Sequence, residues 1–298
     1  MLEGFMRGRL GPDDNVRVLT HLVPGCARCQ EITAGFWWAG SGRSSRGSAA
    51  TDAGPSISQV LDRVRGLHAG LAMERTVARR LLEGLSGLPA ASWGARIAGE
   101  IPTWGLCEML LERSRDVRAE APRDAEALAA CAVAVAGAIL ADSHTAKHLD
   151  DLAARSWVAV GEARRLDGNL EGAEKALGEA EAHLARGSGE RLEKARLLGV
   201  RAALRCAQER YEEAGRLLYR TLVIYRRAGQ ADLLGRTFVQ LGYVRTCAGD
   251  LAGAAVALRQ GLALADAARD PRDPDIALAA VYILSRLSSA ERGRRWKR

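Results

Sequence analysis

The sequence predicts an all-α protein built from helical hairpins that stack on one another. Three observations carry that prediction. Apolar residues make up 48% of the chain but aromatics only 5%, so the core is supplied mainly by Ala and Leu, which suits closely packed helices better than sheets. No stretch alternates apolar and polar residues with the period of two that a half-buried strand needs. From Ile57 onward the chain is a run of Ala/Leu-rich amphipathic segments broken by short turns, and past residue 150 those segments repeat.

Composition divides the 298 residues into four parts. Residues 1–38 form a compact head ending in "GFWW". Residues 39–56, "AGSGRSSRGSAATDAGPS", have no hydrophobic period and read as a flexible linker. Residues 57–149 are degenerate helical repeats, with helices expected at about 57–70, 74–86, 91–99, 103–118 and 123–141. Gly or Pro marks the later breaks, in "GLSGLPA", "GEIP" and "EAPRD". Residues 150–298 carry clear repeats and a basic C-terminal tail.

The repeats are "WVAVGEARRLDGNLEGAEKAL" from 157, "LGVRAALRCAQERYEEAGRLL" from 198 and "FVQLGYVRTCAGDLAGAAVAL" from 238, at offsets of 41 and 40. A large residue opens each unit: Trp157, Leu198, Phe238. A small one follows four later, Gly161, Ala202 or Gly242. After a turn come a second small residue, Ala173, Ala214 or Ala254, and then Leu177, Leu218 or Leu258. Two helices approach closely only where both present small side chains, with larger ones filling the flanking grooves. A helix pair of this kind leaves a face unburied and must stack on its neighbours.

This arrangement resembles the tetratricopeptide repeat, a helix-turn-helix unit that stacks into an α-solenoid. The resemblance covers residues 150–290 clearly and 57–150 only in general helical character. The unit here is 40 or 41 residues and not 34, and the position the family gives to Tyr is Arg164, Arg205 and Arg245. The resemblance implies that the first helix of each pair lines a concave groove, into which the second position of each unit projects. That position holds Arg155, Arg196 and Arg236, a row suited to carboxylates on an acidic peptide. The alternative is intrahelical pairing with Asp151, Glu193 and Asp232, one turn earlier in each case. The row at Arg164, Arg205 and Arg245 lies on the opposite face and reads as structural, its stems covering Leu and Ala and its heads meeting the helix terminus.

In the head, "HLVPGCARCQ" has the spacing H-x4-C-x2-C. A Cys-x2-Cys turn lets two thiolates converge on one tetrahedral ion, and a His ending a preceding helix can add a third ligand. The longer stretch "FMRGRLGPDDNVRVLTHLVPGCARC" resembles the zinc-finger-like head of bacterial anti-sigma factors. That resemblance implies a structural zinc on His21, Cys26 and Cys29, and a sigma factor as partner. The family takes a fourth ligand from upstream of the first helix, where this chain has neither His nor Cys. A start further upstream, a water or carboxylate, or loss of the metal would each account for the difference. Without metal, the pair Cys26 and Cys29 is a reduced thiol pair in a small helical hairpin.

Other features exclude more than they assign. The remaining Cys, at 107, 131, 206 and 247, are scattered through helical stretches as small buried hydrophobes. His144 and His148 share a helix face but lack the Glu of a zincin motif. The tail "ERGRRWKR" is basic, as the whole chain is by a net +7. No signal peptide and no 18-residue apolar run is present, so the chain is expected to be cytoplasmic, without a membrane. No catalytic constellation stands out. The expected function is a non-enzymatic protein-binding adaptor in bacterial regulation. The competing expectation is a nucleic-acid-binding regulator that uses the basic head, linker and tail.

Overall fold

The structure, a computed structural model, describes residues 57–85, 87–88, 90–140 and 146–268. The head, the linker, His144, the tail from 269 and the expected metal ligands His21, Cys26 and Cys29 lie outside the described residues. Among the described residues there are ten α-helices, one short 3-10 turn at Ala90–Ser92, and no strand. The helices are α1 Ile57–Leu85, α2 Trp93–Ile97, α3 Trp104–Val117, α4 Pro122–Ala138, α5 Ala146–Leu166, α6 Leu170–Arg186, α7 Arg191–Ala207, α8 Tyr211–Arg227, α9 Ala231–Cys247 and α10 Leu251–Ala268.

Two of these bounds correct the expected helices. The segments 57–70 and 74–86 are one 29-residue helix, α1. Gly66 and Gly70 lie inside it with open space around them. A helical Gly costs about 1 kcal/mol relative to Ala, but with no Pro and no left-handed cap beside it, it does not end a helix. The segment 91–99 shortens to α2 behind the 3-10 turn. At α3, Thr103 caps the helix by accepting the Leu106 amide at 3.1 Å.

The chain divides into two compact units, Met1–Met73 and Glu74–Arg298. In the first, Leu67 and Met73 in the middle of α1 are exposed. The second holds the packed helices. There α3 pairs with α4, α5 with α6, α7 with α8 and α9 with α10, and the first helices of successive pairs touch in the order α3, α5, α7, α9.

The pairing follows from small side chains. A Cβ on Gly161 would lie 2.8 Å from the Leu177 Cδ2, and one on Gly242 only 2.5 Å from the Leu258 Cγ. Each of these glycines also faces a backbone carbonyl of the paired helix, Ala173 O and Ala254 O, at 3.4 Å from the ideal Cβ position. In the middle pair, Ala202 and Ala214 are fully buried beside Leu218. Trp157 is partly buried, while Phe238 belongs to the same core as Leu218.

Turns repeat as faithfully as helices. The residue eleven after each unit start, Gly168, Glu209 or Gly249, has positive φ. The next amide closes the turn on the repeated arginine, Asn169 N to Arg164 O at 2.9 Å, Arg210 N to Arg205 O at 2.8 Å and Asp250 N to Arg245 O at 2.9 Å. Only the middle unit puts a non-glycine, Glu209, in that left-handed position.

One polar contact locks the earlier helices together. The Cys107 thiol on α3 donates to the Ala132 carbonyl on α4 at 3.4 Å and meets the Ser156 hydroxyl on α5 at 3.5 Å. Burial pushes the Cys107 pKa up to about 11, so the group is a neutral thiol at pH 7.

Candidate functional site

The first helices α3, α5, α7 and α9, with α8 behind them, enclose a cavity of about 250 Å³. Five arginines line it: Arg115 and Arg118 from the end of α3, Arg155 from α5, Arg196 from α7 and Arg236 from α9. The three arginines of the expected row thus face one space. Their surroundings differ, however.

Arg155 is turned inward. Its guanidinium donates to Glu193 on α7 and lies 3.8 Å from Glu108 on α3. Burial works against its charge, but the hydrogen bond and charge of Glu193, with Glu108 behind them, outweigh burial and raise its pKa. The Glu193 side chain is only 7% exposed, and its second oxygen stands 3.6 Å from Arg196 Nε. Glu108 also accepts from Trp104 Nε1 at 2.9 Å and from Arg75. A charged ladder therefore crosses three hairpins, from Glu108 through Arg155 and Glu193 to Arg196.

Local pairing accounts for Arg196 and not for Arg155. Glu193 and Arg196 do face each other within α7, but Asp151 is not the partner of Arg155. Asp151 is buried and accepts the Ser188 amide at 3.2 Å, closing the connection between α6 and α7. It lies so near Gly187 that a Cβ there would meet its Oδ1 at 2.1 Å.

Arg115 and Arg118 were missed from sequence. The signal lies in the spacing: Arg115, Arg155, Arg196 and Arg236 stand 40, 41 and 40 residues apart, so the repeat interval runs on into the degenerate region. Arg115 is exposed as a residue, yet packing round its head lowers its pKa, and the like charges of Arg196 and Arg118 lower it further. Crowded cations of this kind favour an anion between them. The two carboxylates nearest the cavity are already engaged. Glu193 answers Arg155 and Arg196, and Glu162 is held bidentately by Arg165 at 3.0 Å.

The chain matches no protein-family model and no curated protein. Among the described residues no group of three or more His, Cys, Asp or Glu is placed to hold a metal. None of their helices is long and apolar enough to cross a membrane. His148 is exposed on the first turn of α5.

The second arginine row is a set of cross-links. Arg164 donates to Glu126 on α4 at 2.7 Å and to the Gly172 carbonyl at 3.2 Å. Arg205 pairs with Glu174 on α6 and lies 3.4 Å from Glu213 on α8. Arg245 donates to Tyr219 on α8 and to the Gly253 carbonyl at 2.9 Å. Each head thus reaches the second helix of the preceding pair and the first turn of its own second helix. The helix terminus expected to receive these heads is instead closed by backbone amides, which leaves the guanidinium to bridge three helices.

Proposed function

We propose that residues 74–268 form a tetratricopeptide-like α-solenoid acting as a non-enzymatic adaptor, whose arginine cavity takes an extended acidic segment of a protein partner. The observation that carries this reading is the convergence of five arginines from four successive first helices on one cavity. Within the row, Arg155 is a structural member of the ladder. The anchoring groups are Arg115, Arg118, Arg196 and Arg236, with Arg196 shared between Glu193 and the ligand. A guanidinium holds a carboxylate through two parallel hydrogen bonds, which fixes direction as well as charge.

The experiment is a fluorescence-anisotropy titration of the full chain with a labelled twelve-residue peptide rich in Asp and Glu. An Arg118→Glu/Arg236→Glu variant should bind at least about a hundred-fold more weakly, since each charged hydrogen-bond set contributes about 1.5–3 kcal/mol. A neutral peptide of the same length should not bind. Equal affinity of the variant and the unsubstituted chain would remove the cavity from the function.

The head extends the adaptor reading. By its resemblance to anti-sigma heads it is a second protein-binding module, with a sigma factor as the candidate partner and a structural zinc on His21, Cys26 and Cys29. Thiolate and imidazole donors suit zinc, and in so small a segment the metal would supply much of the folding free energy. Purified chain should then carry one zinc per molecule, and Cys29→Ser and His21→Ala should each lower that content. Metal content unaffected by both substitutions would discard the site.

A further inference from the structure

A second and larger cavity, about 760 Å³, opens between the start of α7 and the C-terminal half of α8. Its rim carries Arg191 and Lys194 from α7 and Arg220 and Arg227 from α8. Arg216 and Arg226 extend the same charge along α8. Among the described residues none of these six cations makes an ion pair, whereas Arg155, Arg164, Arg165, Arg201, Arg205 and Arg245 all do. From Ala214 to Gln230 the chain has four arginines and no Asp or Glu. The one carboxylate on the rim, Glu190, is occupied in capping the Leu192 amide at 3.1 Å.

The floor is different in character. Leu192, Leu198, Val223 and Ile224 supply it, and Val223 is 48% exposed. A cationic rim over an apolar floor offers one surface to a phosphate and another to the face of a base. A base face is free to meet that floor only in a single strand, since in a duplex it is stacked on its neighbours. A patch of one sign selects a partner of the other. Arginines that no carboxylate pairs match a ligand whose own charge is unbroken and whose oxygens accept bidentate hydrogen bonds.

We infer that this cavity on the α7–α8 hairpin is a binding site for the phosphodiester backbone of single-stranded nucleic acid, held by Arg191, Lys194, Arg220 and Arg227. The site is separate from the acidic-peptide cavity and does not depend on that reading. It uses none of the head, linker or tail residues.

The test is anisotropy of a labelled fifteen-nucleotide single-stranded DNA with the full chain, titrated at several salt concentrations. Removing two phosphate contacts in Arg220→Ala/Arg227→Ala should lower affinity at least ten-fold at low salt. The slope of log K against log salt should fall by about 1.4, at about 0.7 per phosphate contact on a single strand. Arg220→Lys/Arg227→Lys should keep the slope while weakening binding. Arg113→Ala/Arg259→Ala, which removes the same charge from exposed positions elsewhere, should leave both quantities as they were. The inference fails if the two alanine pairs behave alike, if a duplex of the same sequence binds as tightly, or if polyglutamate displaces the oligonucleotide as readily as unlabelled strand does.

Discussion

Gly242→Leu is expected to unfold the α9–α10 hairpin well before the rest of the protein. An added methyl alone would come within 2.5 Å of the Leu258 Cγ, and Leu258 is completely buried. The contact leaves little room to relax, because the Ala254 carbonyl flanks the same point at 3.4 Å and a helix backbone does not move aside without breaking its hydrogen bonds. Overpacking of this sort costs about 1–3 kcal/mol for small additions, and a leucine exceeds that range. Urea denaturation of Gly242→Ala, Leu258→Ala and the double variant isolates the cause. Leu258→Ala alone should cost about 2–5 kcal/mol, and the double should cost less than the sum, because the new methyl then occupies vacated space. Strict additivity would mean that the two residues do not meet. Ala202→Gly, at the corresponding place in the preceding hairpin, should cost only about 1 kcal/mol, since a methyl already fits there.

The second large effect is expected at Glu193. Glu193→Ala leaves the Arg155 charge half-buried with only Glu108 near it, at 3.8 Å, and removal of one partner from a buried pair costs about 3–5 kcal/mol. The loss should change little with ionic strength, because the pair is shielded from mobile ions. An Arg155→Met substitution in the Glu193→Ala background should restore much of the stability by removing the stranded charge. If the double variant is no more stable than Glu193→Ala, the ladder from Glu108 to Arg196 is not what ties α3, α5 and α7 together. The same experiment bears on the cavity. With Glu193 gone, Arg196 is released from the carboxylate it faces on α7, and acidic-peptide affinity should rise even as stability falls.

The two predictions differ in how far the sequence alone could have led to them. Gly242 and Leu258 are sixteen residues apart across a single turn, and their roles follow from side-chain size and a forty-residue interval. The partnership of Arg155 with Glu193 spans 38 residues, and a nearer acid, Asp151, stood one turn away on the same helix. Nothing local decides between them. Asp151 was taken by a loop amide, and that choice rests on how α6 hands over to α7.

Composition, periodicity and turn chemistry by themselves determined the all-α class, the positions of the turns at 168, 209 and 249, and most helix limits, because each depends on neighbours within a few residues. Only tertiary structure decided which charge meets which: the inward turn of Arg155, the three-helix bridges of Arg164, Arg205 and Arg245, the entry of Arg115 and Arg118 into the cavity, and the gathering of Arg191 and Lys194 with Arg220 and Arg227. A charged side chain has several partners within reach, separated by about 1 kcal/mol or less while all are in water. Stacking the hairpins changes which of them loses its water, and desolvation then selects the pair.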